Sequence, residues 1–379
     1  MKKEDVASLF IYVIIIATAI VFGVTVLQER ASATHMSQGE YIGYIILAIA
    51  TGVIFNAIMF EVAHILGAKL GGYSILLVNV LGFTFYKKEE KFKFKFSSPK
   101  GLTGEVRILP KKNRSKESSP RAYLMFGTLF FLVEAFGLVS AFIVLKGTQT
   151  DLAYFFLIVL FIGGLIFIYN IVPLKLDSVT DGYRLTLISN PKNKVAYNEL
   201  LRVEYEIENG NKDVEIKTFE TITNFTADLN LNKAYLSLDK GEYADALTII
   251  EQIINAGTAV SEKVHIRALS QKIFIYMMQY DLETATKKIN EEVTHSERRI
   301  ISNDASMVSA RAYILLAGLI DKSKSEVERT IFDIQKAFKA TSKSRRDIEV
   351  KLFNLALAKV CEYHPQWGFE KYYLKERGC

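Results

Sequence analysis

Four long apolar stretches constrain this chain more than anything else in it: Leu9 to Leu27, Tyr41 to Phe60, Tyr123 to Leu145 and Leu152 to Val172. Each is close to the 20 or so residues that an α-helix needs to cross a bilayer. All four fall in the first half, which explains how a 379-residue chain that is 50% apolar can have a mean hydropathy of +0.17. The expectation is a polytopic α-helical membrane domain over 1–190, with spans at about 9–27, 41–60, 123–145 and 152–172. Residues 191–219 read as a linker, and 220–379 as a water-soluble all-α domain. Lys2 and Lys3 precede the first stretch, and Ala31-Ser32-Ala33 follows it, so a cleaved signal peptide was weighed. A retained helix is preferred, because the alternation of the later spans works with it in place.

The basic residues give the orientation. A dozen Lys and Arg lie between Lys87 and Arg121, whereas the loops at 28–40 and 146–151 carry one each, Arg30 and Lys146. Lys2 and Lys3 lie before the first span, and Lys175, Arg184, Lys192 and Lys194 after the fourth. Basic residues concentrate on the cytoplasmic side, so both termini are expected in the cytoplasm of an integral cell-membrane protein. The net charge of +6 is then a topology signal, and no nucleic-acid partner is expected. Cys361 and Cys379 make neither a disulfide framework nor a zinc ribbon.

The second stretch continues as Phe60-Glu61-Val62-Ala63-His64-Ile65-Leu66-Gly67-Ala68-Lys69-Leu70-Gly71-Gly72. Glu61 and His64 fall on one helix face. Ionisable groups at membrane depth are costly and tend to have a task. These two either line a polar cavity or pair with each other at the cytoplasmic interface. Residues 74–110 read as β-rich: Ser74 to Tyr86 is rich in β-branched and aromatic residues, and Lys91 to Phe96 alternates strictly between Lys and Phe. The fourth stretch ends Asn170-Ile171-Val172-Pro173, and Asp181-Gly182 follows after a short loop. Asp177 is a weaker candidate than Asp181, because no glycine follows it.

The order of these features over roughly 41–190 resembles the site-2 protease family of membrane-embedded zinc metalloproteases. The family motif is His-Glu-x-x-His followed by small residues, then Asn, Pro and Asp-Gly beyond a later span. Two His at i and i+4 hold one zinc and the Glu between them activates its water. The resemblance implies Glu61 as general base, His64 and Asp181 as zinc ligands, and Asn170 as a residue that positions substrate or its oxyanion. It also implies that Gly101, Gly104 and Pro173 contact a membrane-protein or signal-peptide substrate, the glycines from an edge strand that pairs with its unwound segment. The family requires His where this chain has Phe60. Phenylalanine has no lone pair for a metal, so zinc binding and hydrolysis are expected to be severely impaired. The chain is then an impaired metalloendopeptidase, a zinc-free pseudoprotease, or a membrane-anchored scaffold.

In the second half, Asn232 to Leu238 followed by Gly241-Glu242-Tyr243-Ala244-Asp245-Ala246-Leu247 resembles a tetratricopeptide turn. A second copy lies at Ile275 to Thr286 and a weaker third at Ala312 to Ile331, spaced slightly wider than the standard repeat of about 34 residues. Such a helical-repeat domain would offer a concave face to a protein or peptide partner. The alternative is a plain helical bundle.

Overall fold

The computed structural model describes residues 3–88, 91–97, 104–111, 117–173, 180–217, 219, 221–340 and 343–375. The chain is mostly helical and divides into two compact units, 1–194 and 195–379.

In the first unit, α1 (Lys3–Phe22) passes through a π-helical turn (Gly23–Leu27) into α2 (Gln28–Ala33). Next come α3 (Gln38–Gly71), a four-stranded sheet, α4 (Pro120–Leu145), α5 (Thr150–Ile171) and α6 (Asp181–Ile188). Four helical segments are long and apolar enough to cross a membrane: Leu9–Ala33, Gln38–Gly71, Pro120–Leu145 and Thr150–Ile171. Their outward faces are apolar too. Val133 and Phe136 on α4 are 67% and 77% exposed, which in water would be an unusually large greasy surface.

The second of these helices is longer than its apolar run suggests. It has 34 residues, so it extends over about 51 Å, well beyond a hydrocarbon core of about 30 Å. Ser37 and Glu40 form a capping box at its start, and Gly72, at φ 84°, ends it in the left-handed conformation. Its buried face is lined with small residues, among them Ala48, Gly52, Ala57, Gly67 and Ala68. These let neighbouring backbones come close: a Cβ on Gly67 would lie 2.7 Å from the Ala122 carbonyl, and one on Gly71 2.7 Å from that of Ser119. Helix α5 is tied in by Asn56, whose amide donates to the Gly52 carbonyl at 2.7 Å and the Val159 carbonyl at 3.0 Å.

The sheet comprises β1 (Tyr73–Val80), β2 (Phe83–Lys88), β3 (Lys91–Phe96) and β4 (Gly104–Pro110), antiparallel throughout, in the order β3-β2-β1-β4. Strands β1 and β2 are joined through Leu81 and Gly82, at φ 49° and 94°. Two positive φ values in a two-residue loop give the turn whose twist matches the strands it joins.

The stretch 191–219, which reads as a linker, carries an 18-residue helix, α7 (Pro191–Glu208), most of it in the second unit. Ala196, Val203 and Ile207 on α7 are buried in the core of that unit, which is why a polar-looking connector becomes ordered. The remaining helices are α8 (Asn224–Lys240), α9 (Tyr243–Asn255), α10 (Glu262–Gln279), α11 (Leu282–Glu292), α12 (His295–Asn303), α13 (Met307–Leu315), α14 (Lys324–Ala340) and α15 (Lys343–Tyr363). They share one core, in which Ile250, Ile273, Phe274 and Phe353 have no exposed surface. Arg311 is buried with them, donating to Glu349 at 2.8 Å and to Gln271 at 2.5 Å. Beyond α15 the tail packs rather than trailing loose: Phe369 is buried, and Leu374 exchanges backbone hydrogen bonds with the Asn354 side chain.

Candidate functional site

The last turns of α3 bring Phe60, Glu61 and His64 to the start of α6. Glu61 and His64 are 3% and 4% exposed. His64 Nδ1 lies 3.1 Å from the Phe60 carbonyl, and Nε2 lies 2.8 Å from Asp181 Oδ2. A carbonyl only accepts, so Nδ1 carries a proton and donates it there. On the far side of the ring, Nε2 faces the Asp181 carboxylate. Glu61 Oε2 is 3.9 Å from Nδ1 on the other side of the ring. Three groups from two segments far apart in sequence thus make a buried carboxylate–imidazole–carboxylate row.

Local sequence explains why Asp181 arrives there. Thr180 caps α6, accepting from the Tyr183 amide at 3.2 Å and donating to the Val172 carbonyl at 2.7 Å. Gly182 is required by crowding: a Cβ there would lie 1.9 Å from the Ile171 carbonyl oxygen. The Asp-Gly pair is therefore pressed against the end of α5. Burial alone would raise the Asp181 carboxyl. The charge and hydrogen bond of His64, with Arg184 3.6 Å away, outweigh it and hold the carboxyl below the ordinary aspartate value.

The walls come from β4 and α4. A Cβ on Gly104 would meet Glu61 Oε1 at 2.8 Å and the Asn79 carbonyl at 2.1 Å, so the Glu61 carboxylate lies against bare strand backbone. The Tyr123 ring is 5.1 Å from the His64 ring, and its hydroxyl donates to the Val106 carbonyl at 2.9 Å. The Phe60 ring meets the His64 ring edge-on at 4.5 Å, in space left by Gly127.

The structure therefore groups Glu61, His64, Asp181, Phe60 and Gly104. It gives Asn170 and Pro173 other surroundings: the Asn170 amide donates to Ile166 in its own helix at 2.9 Å, and Pro173 is exposed just past α5. Gly101 and Asp177 lie outside the described residues. Sequence reasoning missed Tyr123 and Glu134. Glu134 Oε1 is buried without a hydrogen-bond partner among the described residues, in a cleft shared with Asn56, Phe60 and Gly163. An isolated acid inside an apolar run was the available signal.

The donor set does not fit a catalytic zinc. Such a site takes three protein ligands at about 2.0–2.2 Å from the metal. Here His64 and Asp181 satisfy each other directly, and the Phe60 ring beside them, edge-on to the imidazole, offers no lone pair. Among the described residues, no group of three or more His, Cys, Asp or Glu is arranged to hold a metal ion. No described protein family, curated protein or solved structure matches the chain.

Proposed function

We propose that this chain is an integral membrane protein of the site-2 protease type whose hydrolytic centre is disabled by Phe60, and that it engages membrane or signal-peptide segments without metal-dependent cleavage. One observation carries the reading. His64 and Asp181, 117 residues apart in the chain, meet at 2.8 Å, the pairing that the resemblance requires of its two surviving ligand positions. In this reading all four apolar helices cross the bilayer and both termini are cytoplasmic. The helical unit is a tetratricopeptide-type module that recruits a protein or peptide partner. Gly241 ends α8 in the left-handed conformation, and the fully buried Ala246 and Ala285 lie on α9 and α11; these support the repeat reading.

Phe60→His tests it. The parent is expected to bind zinc far below one equivalent and to leave membrane substrates intact. The substitution puts an imidazole four residues before His64, on the same helix face, and is expected to raise zinc content towards one equivalent, as measured by elemental analysis of purified protein. Equal zinc content in the two proteins ends the reading. The burial of Glu61 against Gly104 favours a second one, an enzyme altered at a single position. That version expects peptide hydrolysis to return in Phe60→His and to vanish again when Glu61→Gln is added.

A further inference from the structure

We infer that the β2–β3 hairpin is an interfacial membrane anchor that selects anionic lipid. The inference rests on the membrane reading above. In the β2–β3 register Phe83 pairs with Phe96 and Phe85 with Phe94. Facing positions in an antiparallel pair share a sheet face, so the four rings form one ladder. Neighbouring rings are in contact, with centroids 4.5 Å apart for Phe83–Phe96 and 5.4 Å for Phe85–Phe94. Nothing in the chain's described residues covers them: Phe94 and Phe96 are 54% and 69% exposed. A row of four phenyl groups on a peripheral hairpin is a surface that water penalises.

The other face and the sequence around it say what covers the ladder. Lys93 and Lys95 alternate with the rings on β3 and are exposed, and with Lys87, Lys88, Glu89, Glu90 and Lys91 counted the sequence 83–96 carries five Lys against two Glu, a net charge of +3. No acidic residue alternates with them on β3. Strand β1 begins at Tyr73, immediately after the cap of α3, so the sheet follows directly on one of the four helices long and apolar enough to cross a membrane. Interfacial helices combine an apolar face buried at the headgroup–acyl boundary with lysines on the reverse face. A sheet meets the same requirement. Rings directed inward from the backbone and ammonium groups directed outward are separated by about the depth of one headgroup layer. Lysine stems of this length hold their charge in the polar layer while the rings stay below it. The occupant is thus an anionic lipid surface, and its attraction should fall with salt.

Full-length protein reconstituted in vesicles provides the test. The sequence has one tryptophan, Trp367, so the parent supplies the background for Phe94→Trp. In phosphatidylglycerol vesicles carrying lipids brominated near the top of the acyl chain, the added fluorescence is expected to be blue-shifted and quenched by about twofold. In phosphatidylcholine, at raised salt, or with Lys93→Glu and Lys95→Glu together, the quenching should weaken. Phe136→Trp, on the exposed face of α4, is the control for the membrane reading itself. Quenching at position 136 with none at 94 overturns the anchor and leaves the membrane reading standing; a blue-shifted but unquenched signal at 94 assigns the ladder to a protein partner and overturns it equally. Equal quenching in both lipids removes the anionic selection. No quenching at either position overturns both readings.

Discussion

At the scale of single residues, the site is held by close approaches that tolerate no added atom. Gly182→Ala would put a methyl 1.9 Å from the Ile171 carbonyl, so α6 must move and Asp181 must leave His64. Gly104→Ala would press on Glu61 and on the Asn79 carbonyl. Overpacking of this kind costs about 1–3 kcal/mol, which should appear as a lower unfolding midpoint for each variant in detergent. Asp181→Ala removes one partner of a buried pair and is expected to cost about 3 kcal/mol; the same measurement checks it. Helical spacing put Glu61 and His64 on one face, but it was the order of motifs in the family resemblance that joined Asp181 to them, since an Asp-Gly dipeptide alone reads as a turn. Tyr123 and Gly127 were not. Their part depends on which face of α4 turns towards α3, and an almost uniformly apolar helix carries no periodic signal to say so. Asn170 shows the converse case: its motif was readable, yet its amide donates within its own helix.

At the scale of elements, the four apolar segments were legible from length and composition, but their ends were not. Helix α3 runs eleven residues past Phe60, where the apolar run ends, as the helical placement of Glu61 and His64 required: these and Lys69 break the apolar run without breaking the helix. Polarity and helicity end at different places when polar side chains have partners. Gly67 and Gly71 let α4 start against this extension, and Gly67→Leu should force the two helices apart, since even a Cβ would lie 2.6 Å from that of Phe126. The expected outcome is loss of resistance to limited proteolysis in the first unit with the second unit unaffected. In the helical half, Gly241 holds φ 82°; Gly241→Ala should lower stability by about 1 kcal/mol, read from denaturant unfolding. Helix α7 was hard to read for a physical reason as well: it is stabilised by distant core partners that no local pattern reveals.

At the scale of the whole molecule, two compact units divide the chain, and the four helices long and apolar enough to cross a membrane all lie in the first. In the helical unit, burial pushes the Asp228 carboxyl up to about 6, with Arg267 and Lys263 opposing and Glu204 adding to it. An unfolded aspartate titrates near 3.9, so the folded chain holds an extra proton between the two values. The stability it contributes is complete below about pH 4 and is lost as pH rises through about 6, a change of about 1–3 kcal/mol. Asp228→Asn should flatten that slope in urea unfolding followed across pH. The buried Arg311–Glu349 pair has a different signature: Arg311→Ala leaves a carboxylate without its partner and should cost about 3–5 kcal/mol at any pH near neutrality.

The bond between His64 and Asp181 also has a consequence for how the chain is made. Residues are synthesised in order, so the imidazole leaves the ribosome long before its carboxylate exists, and two whole hydrophobic helices are made in the interval. Throughout that time the buried imidazole of α3 lacks the carboxylate it pairs with. The first unit therefore matures late, on arrival of one aspartate. A nascent chain stopped just short of Thr180 should be cleared by cellular proteases much faster than one stopped just after Ile188.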